Sequence, residues 1–394
     1  MELKEDYNNT KLGLLPKDWK WNILPNVLEN GADSIKIGPF GSALKKEILV
    51  KSGYKVYGQE NIFNKNMEIG TRYINFENFK KLKNCELKTG DIIISMMGTI
   101  GQCHIIPEHV ERGIMDSHLL RLRLDQYSID PIFFIYFFES NLLLAQIKKL
   151  SVGGIMDGLS SKIIKNLCII TPPKKEQAAI AKALSDADAW IQSLTQLIAK
   201  KRQIKQGAMQ TLLNPYKNGI LKEGWKCKKL GDILAICHGK SQKEVVDENG
   251  VYPILASGGE IGKASQYLYD KPSVLIGRKG TIDIPQYMDK PFWTIDTLFY
   301  SKINFPNNAR YIFYLFNLID WYSFNEASGV PSLSAKTIEN IEIFIPQSEE
   351  QNDIAKVLSD MDKEIYNLEE KLLKAKQIKQ GMMQNLLTGR IRLI

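Results

Sequence analysis

Leu159-Ser160-Ser161-Lys162-Ile163-Ile164-Lys165-Asn166 reads against Leu333-Ser334-Ala335-Lys336-Thr337-Ile338-Glu339-Asn340 later in the same chain. The register then holds without a gap. Ile180-Ala181-Lys182-Ala183-Leu184-Ser185-Asp186 meets Ile354-Ala355-Lys356-Val357-Leu358-Ser359-Asp360, and Gln203-Ile204-Lys205-Gln206-Gly207 returns as Gln377-Ile378-Lys379-Gln380-Gly381. Roughly half of the positions from Leu159 to Leu213 are identical to their counterparts, and a repeat of such long period fixes the architecture before any motif is weighed.

Weaker echoes carry the repeat upstream. Pro16-Lys17-Asp18-Trp19-Lys20 resembles Leu221-Lys222-Glu223-Gly224-Trp225-Lys226; Asp91–Ile100 resembles Ser273–Ile282; and Asp116-Ser117-His118-Leu119 matches Asp296-Thr297-Leu298-Phe299. Each half is therefore a variable globular unit followed by a near-constant segment. Leu387–Leu393 would run into Leu14–Trp19 just as Leu213-Asn214-Pro215 leads into Trp225. This predicts a circular, pseudo-two-fold arrangement with the chain ends side by side.

The repeated segments read as long helices. Ile180, Leu184, Ala187, Ile191, Leu194 and Ile198, and likewise Ile354, Leu358, Met361, Ile365, Leu368 and Leu372, recur at alternating spacings of four and three, a heptad seam. Pro172-Pro173 and Pro346 mark the starts; Asn214-Pro215 and Thr388-Gly389 mark the stops. Two equal seams in one chain predict an antiparallel coiled coil between the rods. The variable halves read as mixed α/β, from short β-branched runs ending at a Gly-Thr turn and one aromatic helix each, Pro131 to Lys149 and Ala309 to Trp321. The expected organisation is a globular domain over 1–170, a helix over 171–214, a second domain over 215–345 and a second helix over 346–394.

At 394 residues, 44% hydrophobic, 9% aromatic and 24% charged, the chain is an ordinary globular one of two or three domains. No apolar run follows Met1, and Ile132–Phe138 is too short to span a bilayer, so a cytoplasmic address is expected. Cys85, Cys103, Cys168, Cys227 and Cys237 show no C-x-x-C spacing, which indicates neither a disulfide framework nor a zinc site. The net charge of +8 favours a polyanionic partner without proving one.

Searches for catalysis fail. Methyl transfer to a base would need a glycine-rich cofactor turn and an Asn/Asp-Pro-Pro-aromatic motif; Asn214-Pro215-Tyr216 lacks the second proline. Ile37–Ser42 has neither a dinucleotide nor a Walker pattern, and no hydrolase or metalloprotease motif occurs. What remains is a binding inventory in loops: Ser42, Lys45, Lys46, Gln59, Asn61 and Thr99 in the first half, with Gly153-Gly154 nearby, and Lys240, Ser257, Arg278, Lys279, Thr281 and Trp293 in the second. Lys and Arg neutralise phosphates, while Arg, Asn and Gln read base edges. Two readings stand at this point: a DNA-recognition protein, and a coiled-coil adaptor that pairs two protein-binding modules.

Pro-x-x-x-Glu-Gln at Pro172–Gln177 and Pro346–Gln351, Ile-Ala-Lys-x-Leu-Ser-Asp-x-Asp from Ile180 and Ile354, and Gln-Gly-x-Met-Gln-x-Leu-Leu from Gln206 and Gln380 resemble the specificity subunit of type I restriction-modification enzymes. The resemblance covers essentially the whole chain. It implies two target-recognition domains, each binding half of an asymmetric bipartite DNA site, and a helix pair acting as a ruler. It also implies that the chain is non-catalytic and holds no cofactor. S-adenosylmethionine would sit on two methyltransferase subunits, docked through the helices at Ile180, Leu184, Ile191, Ile354, Leu358 and Ile365; ATP and Mg would belong to restriction subunits.

Overall fold

The computed structural model describes residues 7–31, 33–40, 43–98, 100–151 and 159–393. The chain folds as two compact units, one formed by Met1–Ser193 with Leu372–Ile394 and the other by Leu194–Lys371.

In the first unit, β1 (Lys20–Ile23) leads to β2 (Ile35–Ile37), β3 (Tyr54–Tyr57), β4 (Ile92–Ser95), β5 (Cys103–Ile105), β6 (Gly113–Met115) and β7 (Leu119–Leu122). One antiparallel sheet runs β2-β7-β4-β5; in a second sheet β6 lies parallel to β3. β4 is apolar from Ile92 to Ile94 because both of its faces are covered: Ile92 and Ile94 enter one core, and Ile93 enters the other. The aromatic helix α1 (Pro131–Phe138) starts where Asp130 accepts from the N–H groups of Ile132 and Phe133, each at 2.9 Å, with Pro131 at its first position. Phe133, Phe134, Phe137 and Phe138 are fully buried. The helix expected to continue to Lys149 breaks at Ser140, whose hydroxyl donates to the Phe137 carbonyl at 2.6 Å and accepts from Leu143 N–H at 3.4 Å, closing one helix and capping the next. β8 (Cys168–Thr171) then pairs antiparallel with β1, and α2 (Lys174–Leu212) follows.

The second unit repeats this order. β9 (Lys226–Lys229), β10 (Leu234–Cys237), β11 (Tyr252–Ala256), β12 (Ser273–Gly277), β13 (Gln286–Met288), β14 (Trp293–Thr294) and β15 (Leu298–Ile303) give an antiparallel sheet β10-β15-β12-β13, with β11 parallel to β14 in a second sheet. Val274 and Ile276 of β12 face one core and Leu275 the other, as in β4. α3 (Ala309–Phe316) is the counterpart of α1; it stops short of Trp321, which begins a separate 3-10 turn. β16 (Glu342–Ile345) pairs with β9, and α4 (Ser348–Leu386) closes the chain. Both architectures are mixed α/β, as expected.

Each long helix has 39 residues, a rod of about 58 Å. Each unit holds part of both, running antiparallel. In the second unit Lys201 meets Glu364 at 2.6 Å, Arg202 meets Glu369 at 2.5 Å, and Lys205 pairs with Asp362. In the first unit Lys379 meets Asp188 at 2.6 Å. The chain ends close on themselves within the first unit: the Tyr7 hydroxyl donates to the Gly389 carbonyl at 2.8 Å, and Arg392 pairs with Asp18 at 2.7 Å. Gly389 needs to be glycine, since its φ is +69° and a Cβ would lie 2.6 Å from the Pro16 ring.

Ile180, Leu184, Ile354 and Leu358 correct an expectation. They lie at 0%, 0%, 5% and 0% exposure inside their own unit's core, packed under its α/β domain. Ile365 is also buried and Ile191 half-buried. The five buried positions hold the fold and are not available as a docking surface.

Candidate nucleic-acid interface

Four loops of the second unit converge at one end of its sheets. β12 ends at Gly277, where a Cβ would stand 1.9 Å from the Thr281 carbonyl oxygen, so the chain turns tightly into Arg278-Lys279-Gly280-Thr281. The N–H groups of Arg278 and Lys279 donate to the Thr297 carbonyl at 2.9 and 3.3 Å, and Gly280 donates to the Pro331 carbonyl at 2.9 Å. A Cβ on Gly280 would meet the Ser257 hydroxyl at 3.4 Å, which places the loop after β11 beside this tip. Lys240 joins through its N–H, which donates to the Thr294 carbonyl at 2.8 Å.

Lys240, Ser257, Arg278, Lys279 and Thr281 are thus brought together on a backbone pinned from several sides. Lys240 and Lys279 are exposed; Ser257, Arg278 and Thr281 are half-buried. Trp293 is different. It is buried, and its indole N–H donates to the Lys240 carbonyl at 3.0 Å, so it supports the Lys240 loop from beneath. Asp296 is a neighbour the sequence marked only as a repeat position: its carboxylate pairs with Arg278.

The first unit builds the matching loops with other residues. Met97 is exposed at the tip after β4, and Gln59 donates to its carbonyl at 2.6 Å. Asp116, the counterpart of Asp296, is buried and takes Arg72 at 2.9 Å; the same Arg72 nitrogen reaches Glu60 at 2.9 Å. Lys45 and Lys46 are exposed on and beside the turn Lys46–Ile48. Asn61 is withdrawn as a base-reading candidate. It is 1% exposed, accepts from Gly58 N–H at 2.9 Å and donates to the carbonyls of Asn66 and Ile69, so its amide is fully used inside the fold. Ser42, Thr99 and Gly153-Gly154 lie outside the described residues.

Both domains are fastened to the helices by the same side chains. Trp19 donates to Glu176 at 2.9 Å and Trp225 to Glu350 at 3.1 Å. Gln177 accepts from Asp130 N–H and donates to the Pro172 carbonyl; Gln351 accepts from Asn308 N–H and donates to the Pro346 carbonyl. Tyr136 donates to Asp188 at 2.8 Å, with Lys379 over its ring, and Tyr314 donates to Asp362 at 2.6 Å, with Lys205 over its ring. Burial and the adjoining carboxylate push both phenols well above their usual range. Among the described residues no helix is long and apolar enough to cross a membrane.

The family model described as type I restriction modification DNA specificity domain matches residues 36–206 and 222–377. The putative type I restriction enzyme MjaX specificity subunit of Methanocaldococcus jannaschii is 26% identical over 426 residues, covering 99% of this chain and 97% of that one. The EcoprrI specificity subunit of Escherichia coli is 23% identical, covering 72% of this chain and 75% of its own. Among solved structures, the type I restriction-modification S subunit from M. genitalium matches with a TM-score of 0.63 at 18% identity over 98% of both chains. The HsdS subunit from Thermoanaerobacter tengcongensis gives 0.54 at 15% identity, covering 96% of this chain and 98% of that one. These likenesses extend across both repeats, and they leave the adaptor reading without support.

Proposed function

Because the chain belongs to the type I restriction-modification DNA specificity family, we propose that its two α/β domains each read one half of an asymmetric split site on double-stranded DNA while the helix pair sets the gap. The observation that carries this reading is internal: two domains that share a four-stranded antiparallel sheet of the same strand order but carry dissimilar loops stand on one repeated helix frame. Equal frames place the loops equivalently; unlike loops read unlike bases. Lys240 and Lys279 neutralise phosphates in the second half, and Lys45 and Lys46 do so in the first, with Gln59, Ser42, Thr99, Ser257 and Thr281 as polar contacts. The chain itself does no chemistry.

Two methyltransferase subunits dock on this frame, one per repeat, bringing S-adenosylmethionine; restriction subunits join the full complex with ATP and Mg. Support for twofold docking comes from surface positions that both copies share. Lys200, Gln203, Ile204 and Gly207 recur as Lys374, Gln377, Ile378 and Gly381, spaced as one helix face. Ile204 is 47% and Ile378 44% exposed, and a Cβ on Gly207 or Gly381 would touch nothing. An exposed isoleucine and an unpacked mid-helix glycine do nothing for the chain's own core, so their retention in both copies fits one partner bound twice.

Methylome sequencing of a host expressing the chain with its methyltransferase tests the reading. A new split adenine-methylation motif with unlike halves is expected, and the absence of any new motif refutes it.

A further inference from the structure

Arg278 is held more firmly than a cation at a loop tip needs to be. Its N–H donates to the Thr297 carbonyl and its own carbonyl accepts from Leu333 N–H, both at 2.9 Å, which fixes the backbone on two sides. Its guanidinium is then held at one nitrogen: Nη1 pairs with the Asp296 carboxylate and reaches the Asp296 carbonyl at 3.4 Å. Nε and Nη2 have no partner among the described residues, and the side chain is 28% exposed. An arginine clamped in this way presents its opposite edge as a two-donor fork of fixed direction.

Two kinds of acceptor on DNA match such a fork, a phosphate and the O6/N7 edge of guanine. Asp296 decides between them. Its side chain is 69% exposed at the same tip, and its negative charge would repel a phosphate drawn to the fork, whereas a neutral base edge carries no such penalty. Lys279 and Lys240, exposed and without an acidic partner among the described residues, are the phosphate-type cations of this surface. The first domain lacks the device. Met96 and Met97 stand where Arg278 and Lys279 stand, and Asp116 is already occupied by Arg72, which is bridged to Glu60 as well.

We propose that Arg278, oriented by Asp296 as a positioning residue, reads a guanine in the half-site bound by the second domain, and that the first domain has no equivalent reader at its matching tip. The inference rests on the DNA-recognition reading above.

The experiment uses the full chain assembled with its methyltransferase, comparing the wild type with R278A, D296N and K279A. It combines methylome sequencing with equilibrium binding to duplexes in which each G·C pair of the second half-site is replaced in turn, including 7-deazaguanine to remove N7. One replacement is expected to weaken wild-type binding by about 10- to 100-fold, with the 7-deaza base reproducing much of that loss. R278A should bind the replaced and original duplexes alike and leave that motif position degenerate. D296N should lie between, and K279A should weaken all duplexes evenly with a shallower salt dependence. R278A that weakens every duplex evenly while the motif stays intact would overturn the proposal, as would a second half-site without a G·C pair. A wild-type complex that shows no sequence preference at all would instead remove the DNA-recognition reading beneath it.

Discussion

Glu176 and Glu350 occupy equivalent repeat positions in unequal surroundings, so one substitution made at both sites becomes its own control. Glu176 is 1% exposed and accepts four hydrogen bonds: from Trp19 Nε1 at 2.9 Å, Arg392 Nε at 2.7 Å and Nη2 at 2.8 Å, and Leu393 N–H at 3.3 Å. Glu350 is half-buried and accepts from Trp225 Nε1 at 3.1 Å. A hydrogen bond to a charged group contributes about 1.5–3 kcal/mol, and losses at one carboxylate do not add in full. Arg392 also keeps its pairing with Asp18 and part of its hydration, which moderates the cost of stranding it. Glu176→Ala should therefore cost about 3 kcal/mol and Glu350→Ala about 1.5 kcal/mol. For a unit of this size 3 kcal/mol corresponds to a lowering of Tm by roughly 6–12 °C. Thermal unfolding of the full chain, with amide exchange read on Lys20–Ile23 and Lys226–Lys229 as local reporters, measures both. The pH dependence adds a sign. Burial works to raise the Glu176 carboxyl, but the bonds from Arg392 and Trp19 outweigh it and hold it below the usual carboxylate range. Stability from a lowered carboxylate is present at neutral pH and lost as pH falls through its folded value, so the gap between wild type and Glu176→Ala should close below about pH 4. Equal costs at the two positions, or a larger cost at Glu350, would refute the reasoning.

Tyr314→Phe and Tyr136→Phe each remove a phenol hydroxyl bonded to an aspartate and, at longer range, to a serine in matching networks, so both should destabilise by about 1 kcal/mol and to the same extent in denaturant titrations. Gly207→Ala and Gly381→Ala, each adding a Cβ into open space, should stabilise the chain by about 0.5–1 kcal/mol while weakening methyltransferase association in a pull-down from purified components. Ile204→Glu should leave Tm within about 1 °C and reduce bound methyltransferase from two copies toward one by native mass spectrometry; the double variant with Ile378→Glu should bind none.

The repeat was the most legible feature, because side chains that serve the frame are constrained alike in both copies. The heptad spacing gave the two long helices and their limits, and the alternation hidden in the β-branched run of Ile92–Ser95 became clear only once both faces proved covered. A heptad shows that a face is apolar, not what covers it. At Ile180 and Ile354 the cover is the domain's own core. Asn61 and Trp293 looked like ligand-reading side chains by type, yet three loop-holding hydrogen bonds on one and an inward indole on the other decide otherwise. Asp296 could have been singled out, since it lies at a position the repeat preserves, but its value depends on a tertiary approach to Arg278 that no spacing encodes.

The shared positions therefore divide by what satisfies them. Glu176, Gln177 and Asp188, with their counterparts, end on atoms of the domain above them: an indole, a backbone N–H at the aromatic helix start, and a phenol. The same three grips on two unlike domains mean that loop sequence is free to change while the tip keeps its place relative to its own helix. Lys200, Gln203, Ile204 and Gly207 are exposed, as are Lys374, Gln377 and Ile378, and a Cβ on Gly207 or Gly381 would meet open space among the described residues. Positions kept in both copies without such an internal role are what the proposed docking of one partner on each repeat would preserve, and the Ile204→Glu and Ile378→Glu variants test that link.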